Sequence, residues 1–346
     1  MEATFRLFPW DVEGDPDAAS RLRTDGVERV ALAATYHGAR AITPRHPRHR
    51  IVDLPGSASY LREATPLPRG AFSFEQARDE LERAGVVVDT WAVVGHLDGG
   101  APSVPRVENA FGDRMPHAPC LSHSSTRSFL RELVRVVAEA SAGATVHLEA
   151  VGWQELGHGS LHDKLHGADL GRASAELLAM CTCAACAGGV GVDRAALAAA
   201  VRGAVDRAMH PDDRAPEVNA ASDELLAALR RYRTAVAAEV AAELVDVAFD
   251  AGAAAVSLGA DAATAAVPPV EQLVDCWGDV DRGVDALERA GGGTAYVDIL
   301  TGEPDGFAEH WQLLATAGAM HLHVYHAGLA STRRVRAAVA AARSIR

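Results

Sequence analysis

The chain has 346 residues, of which 49% are hydrophobic and 23% are charged, values typical of a folded globular protein rather than a disordered one. Its 33 lysine and arginine residues against 46 aspartate and glutamate residues give a net charge of −13, which argues against a nucleic-acid-binding surface. The sequence contains neither an apolar run of the roughly 18 residues that a membrane span requires nor a signal-peptide pattern, so we expect a cytoplasmic protein.

Short apolar runs alternate with helical patterns along most of the sequence. The predicted strands are residues 4–10, 28–35, 86–94, 145–150, 253–258, 272–277, 294–300 and 321–325. Repeated strand–helix units with apolar strands predict parallel pairing beneath a layer of helices. Eight units predict an α/β protein with a single (β/α)₈ TIM-barrel domain over residues 1–346. Residues 151–250 form a predicted loop and helical insertion between strands four and five, and residues 36–69 and 95–124 are predicted as long loops.

Polar and aromatic side chains collect where the predicted strands end. The active site of such a barrel lies beyond the carboxyl ends of its strands. The concentration of polar and aromatic side chains at these ends therefore indicates a functional site. Trp10 also fits ordinary core packing. The predicted substrate contacts at these ends are Trp10, Asp11, His37, Arg40, His147, Trp153, Asp275, Trp277, Tyr296, His323, Tyr325 and His326.

Glu149 and Asp298 are the predicted catalytic carboxylates. Because side chains alternate along a strand, His147 and Glu149 share one side of strand four, and Tyr296 and Asp298 share one side of strand seven. Two carboxylates in a pocket with tryptophan walls suit glycoside chemistry, in which one carboxyl group protonates the leaving oxygen and the other acts as nucleophile or base. Alternatively, each carboxylate pairs with an arginine or histidine to line a polar pocket.

A cysteine cluster indicates a metal site. Cys181, Cys183 and Cys186 follow a C-x-C-x-x-C pattern, and Cys120 lies upstream in a proline-rich loop. Four thiolates complete a tetrahedral Zn²⁺ site and leave no open position, so the predicted ion is structural. The alternatives are free thiols or a redox pair of Cys183 and Cys186. Cys276 falls inside a predicted strand, where we expect a small buried apolar residue.

Part of the sequence resembles a known family. Residues 109–113 (NAFGD) precede Cys120, a helical pattern follows, the next strand ends in Glu149, and residues 181–186 read CTCAAC. This arrangement, over roughly residues 105–190, resembles the family 42 β-galactosidases and related clan A glycoside hydrolases. The resemblance implies a barrel enzyme that acts on a small carbohydrate-like substrate.

The resemblance also implies residue roles. Glu149 corresponds to the acid/base, strand seven supplies the nucleophile, here Asp298, and Asn109 is taken as a further substrate contact. The sequence departs from the family at Leu148, where the family has Asn, and at Asp298, which is one methylene shorter than the usual Glu. The implied ligands of a structural zinc are Cys120, Cys181, Cys183 and Cys186.

Two other functions remain open from the sequence. The histidine-rich segments contain His37, His46, His49, His158, His162, His166, His321, His323 and His326. A catalytic metal held by His323, His326 and a carboxylate would make the chain a metal-dependent hydrolase or isomerase. A carbohydrate-binding protein without turnover is the third interpretation.

The long predicted helix at residues 217–249 fits either a homo-oligomer surface or a layer packed on the barrel.

Overall fold

Eight parallel strands close into a barrel in the computed structural model, which describes residues 1–98, 103–157, 164–168, 170–209, 220–259 and 270–345. Each of the eight strands pairs in parallel with the next in the chain, and the eighth pairs with the first. The predicted (β/α)₈ barrel is therefore confirmed. The strands are β1 (Ala3–Leu7), β2 (Arg29–Tyr36), β3 (Val87–Val93), β4 (Thr145–Glu149), β5 (Ala255–Gly259), β6 (Glu271–Asp275), β7 (Gly293–Asp298) and β8 (Ala319–Tyr325).

Helices cover the outside of the barrel and make up much of the predicted insertion between β4 and β5. Several begin at capping side chains: Ser73 accepts a hydrogen bond from the Gln76 N–H at the start of the second helix, and Asp279 caps the eighth helix in the same way. The helices are α1 (Ala18–Asp25), α2 (Phe74–Arg83), α3 (Ser124–Ala140), α4 (Arg172–Leu178), α5 (Ala184–Val190), α6 (Arg194–Met209), α7 (Ala220–Asp250), α8 (Val280–Ala290), α9 (Phe307–Thr316) and α10 (Thr332–Ser344).

The alternation of side chains along the strands divides an apolar outer layer from a polar lumen. On β4, Val146 and Leu148 are buried in the main hydrophobic core between strands and helices. His147 and Glu149, on the other side of the same strand, contact polar groups of other barrel strands. This separation places the charged chemistry inside the barrel and at its mouth.

The two predicted long loops contain β-structure that the sequence pattern did not indicate. Ala39–Ile42 pairs with Ile51–Leu54, and Arg106–Glu108 pairs with Arg114–Pro119, each as an antiparallel hairpin. Ala58–Ser59 adds antiparallel to β2. These strands are two to six residues long, and each of the four hairpin strands contains a charged residue, so they lack the longer apolar runs that identify the barrel strands.

The long helix α7 packs against α3, α5 and α6. Of the helices that the structure describes, none is by itself long and apolar enough to cross a membrane; only α5 and α6 together, across a bend of 94°, meet that length and composition. The single-domain assignment, the cytoplasmic location and the oligomeric state stay predictions.

Gly95 allows the ends of β3 and β4 to approach closely. A Cβ at this position would lie 2.1 Å from the carbonyl oxygen of Ala150, the residue after Glu149. We expect Gly95→Ala to lower the free energy of unfolding by about 1–3 kcal/mol, because rigid backbone must move apart. Urea unfolding measures this change. In the control Gly203→Ala, the nearest atom belongs to the flexible Arg207 side chain at 3.5 Å, and helix α6 should gain up to about 1 kcal/mol. Equal stability of the two variants would contradict the prediction.

Candidate active site at the barrel mouth

A cavity of about 530 Å³ opens at the carboxyl ends of the barrel strands. Its volume falls in the range of small-molecule sites, which combine apolar walls with a few convergent polar groups. The lining contains two carboxylates, a buried guanidinium and four aromatic side chains besides a histidine. The lining residues are Arg6, Tyr36, His37, Leu148, Glu149, Ala150, Gly259, Leu273, Asp275, Trp277, Tyr296 and Tyr325.

Arg6 and Glu149 form an ion pair at the base of this cavity. The Arg6 side chain is 1% exposed, and its guanidinium lies 4.3 Å from the centre of the Trp91 ring and 4.4 Å from that of Tyr296. It donates a hydrogen bond to Oε2 of Glu149, and Trp91 Nε1 donates to the same oxygen at 2.9 Å. Burial lowers the pKa of Arg6, but the electrostatic effect of the nearby Tyr296 phenol and the charge and hydrogen bond of Glu149 outweigh burial and leave this pKa raised. The Glu149 side chain is 37% exposed and faces the cavity.

Tyrosine and tryptophan rings form the walls. The hydroxyls of Tyr36 and Tyr325 lie 3.3 Å apart, and the Trp277 ring packs 4.9 Å from Tyr325 and 5.2 Å from Tyr296. Burial raises the pKa of Tyr36 and Tyr296 well above the usual value and raises that of Tyr325 to about 12. The phenols therefore stay protonated at neutral pH and can donate hydrogen bonds to a ligand.

Asp275 supplies the second carboxylate of the cavity. It is the last residue of β6, its side chain is 65% exposed, and its Oδ1 accepts a hydrogen bond from the Trp277 N–H at 3.0 Å. The Arg282 guanidinium lies 3.6 Å from Oδ2. The cavity thus contains one carboxylate tied to a buried arginine and one that is open to solvent.

Asp298 is held in its own turn and is not among the residues that line the cavity. Its Oδ1 accepts from the Leu300 N–H at 2.7 Å, and its Oδ2 accepts from the Thr301 N–H at 3.1 Å. Both oxygens therefore serve the loop that follows β7. The predicted residues that do line the cavity are His37, Glu149, Asp275, Trp277, Tyr296 and Tyr325.

Trp10, Asp11 and His326 are buried outside the cavity. The chain turns after β1 into a short 3₁₀ helix (Pro9–Asp11), which takes Trp10 and Asp11 away from the mouth. The Phe8 ring stacks on Trp10 at 4.1 Å and on His326 at 4.2 Å, and Phe8 N–H donates to Asp11. The Trp10 ring is fully buried and presents no face to solvent. Trp10 is therefore a core residue and does not stack on a ligand in the cavity.

Three further predicted contacts belong to loops. Arg40 is exposed and pairs with Asp53 across the first hairpin at 3.0 Å. Asn109 is buried, and its Oδ1 accepts hydrogen bonds from two backbone N–H groups of its own turn. Trp153 donates to the Arg233 carbonyl of α7 at 2.9 Å, which directs its ring towards the insertion. Each side chain is thus committed to local structure, and none lines the cavity.

His147 and His323 lie inside the barrel beneath the Arg6 layer, with ring centroids 4.4 Å apart. His323 therefore meets His147 and not His326, so the predicted metal set of His323, His326 and a carboxylate does not form in the described part of the chain. His37 stacks on His96 at 4.1 Å, and burial together with that histidine lowers the pKa of His37 to about 4. Of the other histidines in the predicted metal-binding segments, His158 and His162 lie outside the described residues.

Sequence reasoning missed Arg6 and Trp91. Arg6 carried a usable signal, because it is the lone charged residue in an otherwise apolar strand, TFRLF. A charge at a lumen-facing position of a buried strand requires a counter-ion across the barrel. Trp91 carried no such signal, since tryptophan in a buried strand is ordinary core composition.

The four predicted cysteine ligands come together beside the second hairpin. Cys120 Sγ lies 3.8 Å from that of Cys183, 3.7 Å from that of Cys186 and 3.7 Å from that of Cys181. Tetrahedral zinc with Zn–S bonds of about 2.3 Å requires sulfur separations of about 3.8 Å. The donor set and its spacing thus fit Zn²⁺, and no disulfide links the cysteines. Cys276 is buried inside the main core, as expected.

Comparison with known proteins supports the fold. No family model matches the chain, and no curated protein matches it. The PgaB (BpsB) glycoside hydrolase domain from Bordetella bronchiseptica is 14% identical with a TM-score of 0.58, over 98% of this chain and 99% of that one. The GH20 exo β-N-acetylglucosaminidase from Vibrio harveyi is 9% identical with a TM-score of 0.47, and this chain covers 53% of its length. The chain is thus similar in fold to a glycoside hydrolase barrel, whereas membership of family 42 is not shown.

Asp11 makes the stability of the protein depend on pH. Burial raises its pKa from 3.8 to about 7, against the opposing effects of the Phe8 N–H and Arg45. The folded state therefore binds the proton more tightly than the unfolded state, and stability falls as pH rises from about 4 to 7. We expect Asp11→Asn, which keeps an acceptor for Phe8, to be more stable than the wild type at pH 8 by up to about 4 kcal/mol and equal to it near pH 4. Urea unfolding across this pH range tests the prediction, with Asp246→Asn on exposed helix surface as the control. A constant difference at all pH values would contradict it.

Proposed function

We propose that the chain is a glycoside hydrolase-like enzyme that binds a small carbohydrate at the barrel mouth and cleaves its glycosidic bond with Glu149 and Asp275. The observation that carries this proposal is the cavity in which both carboxylates share a lining with Trp277, Tyr296 and Tyr325. Aromatic faces pack against the C–H faces of a sugar ring, and phenol hydroxyls hydrogen-bond its hydroxyls. The similar fold of the Bordetella glycoside hydrolase domain adds support as an analogy only.

The environments of the two carboxylates assign different roles. Arg6 and Trp91 both donate hydrogen bonds to Oε2 of Glu149 and hold this carboxylate in a fixed position on the cavity. Glu149 therefore suits the nucleophile or base, rather than the acid/base role that the family resemblance implied. Asp275 lines the same cavity and its side chain is more exposed, so we assign it the proton transfer to the leaving oxygen. Asp298, whose oxygens cap a turn, has no part in this mechanism.

Replacing Glu149 tests the proposal. Nitrophenyl glycosides that the wild type hydrolyses serve as substrates. On these we expect Glu149→Gln to lower kcat by about 10²–10⁴-fold, because the amide keeps the shape of the carboxylate but removes its charge. The control is Glu155→Gln, which changes an exposed carboxylate in the loop after the same strand. Azide should restore turnover to Glu149→Gly if Glu149 is the nucleophile. Full turnover by Glu149→Gln would overturn its catalytic role.

Binding of carbohydrate without turnover is the second candidate function. The favouring observation is that each carboxylate has a cationic neighbour, Arg6 for Glu149 and Arg282 for Asp275. Each carboxylate is then engaged by an arginine of the chain rather than left free for the reacting atoms of a substrate. This function predicts saturable quenching of tryptophan fluorescence by a sugar, with no product released, and binding that survives Glu149→Gln.

We also propose that the cysteine cluster holds one structural Zn²⁺. The ligands would be Cys120, Cys181, Cys183 and Cys186, whose sulfur separations match a tetrahedral site. The ion would tie the second hairpin to the start of α5. In small zinc-binding peptides, such an ion contributes on the order of 10 kcal/mol to folding.

Elemental analysis tests the zinc proposal. We expect one zinc per chain attributable to this cluster, its loss in Cys120→Ser, and a lower thermal midpoint for that variant. The matched control is Cys276→Ser, which removes a buried thiol outside the cluster and should retain the zinc. Equal zinc content in Cys120→Ser and the wild type would contradict the assignment.

A further inference from the structure

A second group of metal-binding side chains lies inside the barrel, one residue layer closer to the amino ends of the strands than Arg6. His147 of β4, Glu271 of β6 and His323 of β8 each offer one ligand atom, and these atoms all lie within 4.8 Å of one another. The two imidazole planes are inclined at 71°. Lone pairs in such inclined planes can converge on one point, as a shared metal ion requires.

Two nitrogen atoms of this group are buried without a hydrogen-bond partner. Nε2 of His147 and Nδ1 of His323 have none within the part of the chain that the structure describes, and the two residues are 2% and 1% exposed. An unsatisfied buried polar group is unfavourable, so native proteins satisfy such groups with protein partners, water or an ion. Two such atoms beside one carboxylate indicate an occupant with more than one coordination position.

The neighbours of these side chains hold them as the neighbours of metal ligands do. The other ring nitrogen of His147, Nδ1, hydrogen-bonds Ser257 Oγ, and Thr294 Oγ1 donates to the Glu271 carboxylate. In metalloproteins, the second nitrogen of a ligating imidazole is nearly always hydrogen-bonded, which orients the ring. Ser257 and Thr294 thus supply the orientation that a metal site needs.

The local charge favours a cation. Asp89 Oδ2 lies 3.7 Å from Nε2 of His147, and Asp89 is itself paired with Arg29 at 3.1 Å. Arg29 offsets the negative charge of Asp89. The negative charge that favours a cation is therefore that of the Glu271 carboxylate. An ion can reach the group from the amino-terminal end of the barrel, because the Glu271 side chain is exposed there.

We propose that His147, His323 and Glu271 bind a divalent first-row transition metal such as Zn²⁺ or Fe²⁺. Two imidazoles and one carboxylate suit these ions, whereas Mg²⁺ and Ca²⁺ prefer all-oxygen ligands. The ion would join β4, β6 and β8, which are not neighbours in the sheet, and so close the lumen from below. Because the amino-terminal face of such barrels supports stability rather than catalysis, the role assigned to this ion is structural.

The histidine pair at the barrel mouth does not offer the same geometry. His37 and His96, with Asp98, also bring ligand atoms within 4.8 Å of one another. Their rings, however, are stacked with planes only 13° apart and centroids 4.1 Å apart. Lone pairs in two parallel planes point side by side, so one ion cannot lie in both planes at about 2 Å from each nitrogen.

Cobalt binding tests the proposed lumen site separately from the cysteine cluster. The full chain is first loaded with one equivalent of Zn²⁺, which the four soft thiolates bind in preference to the imidazoles and carboxylate of the lumen site, and is then titrated with Co²⁺. We expect one further Co²⁺ per chain, with weak visible absorption and no intense sulfur charge-transfer band. Glu271→Gln and His147→Asn should each weaken this binding by at least about tenfold. The control His310→Asn removes an imidazole of α9 whose Nε2 has no partner among the described residues, and it should bind Co²⁺ as the wild type does.

The wild-type titration alone can overturn the proposal, even if His147→Asn fails to fold. Absence of Co²⁺ uptake beyond the cysteine cluster would mean that water fills this part of the lumen. Wild-type affinity in Glu271→Gln, which changes an exposed side chain at the end of the barrel, would equally overturn the site. A raised thermal midpoint with Co²⁺ but not with Mg²⁺ supports it. None of these measurements depends on glycoside turnover.

Discussion

Burying a guanidinium costs several kcal/mol unless its charge and its donors are met inside the protein. Arg6 lies in the barrel lumen, where Glu149 supplies the opposite charge and the rings of Trp91 and Tyr296 lie 4.3 Å and 4.4 Å from the guanidinium. These three partners come from β3, β4 and β7. The ion pair therefore fixes the position of the carboxylate at the cavity base, and the barrel must close correctly for Arg6 to be satisfied.

The same reasoning applies to the layer beneath Arg6. TIM-barrel lumens are usually filled by branched aliphatic side chains, whereas this one contains Asp89, His147, Ser257 and His323. Apolar burial thus takes place outside the strands, against the helices, and the lumen depends on a connected polar network. Such a network stabilises the fold only when each member has a partner. Among the described residues, His147 Nε2 and His323 Nδ1 lack a hydrogen bond, as Arg6 Nε does in the layer above, so the network is incomplete at the two histidines without an occupant.

The barrel was predictable because each strand is an apolar run that can be recognised from its own contiguous residues. The end of each run in turn locates residues at the barrel mouth, such as Glu149, Asp275 and Tyr325. The remaining site required non-local information. Asp298 also ends a strand, but its oxygens bond to Leu300 and Thr301 in the following turn, which no spacing reveals. The pairing of Arg6 with Glu149 crosses the lumen between residues 143 positions apart. Local patterns locate strands and their ends, but not which side chains meet across the barrel.

The cysteine cluster lies in a part of the protein where little apolar surface is buried. The apolar side chains around it form a small satellite cluster, with Val107, Met115 and Ala118 on the second hairpin. A core this small contributes little to holding a hairpin and a helical insertion together, and metal binding is a common substitute in small units. The proposed lumen site would use nitrogen and oxygen instead of sulfur. Because thiolates select zinc-like soft ions and imidazole–carboxylate sets accept a wider range, the two sites can hold different metals within one chain without exchanging them.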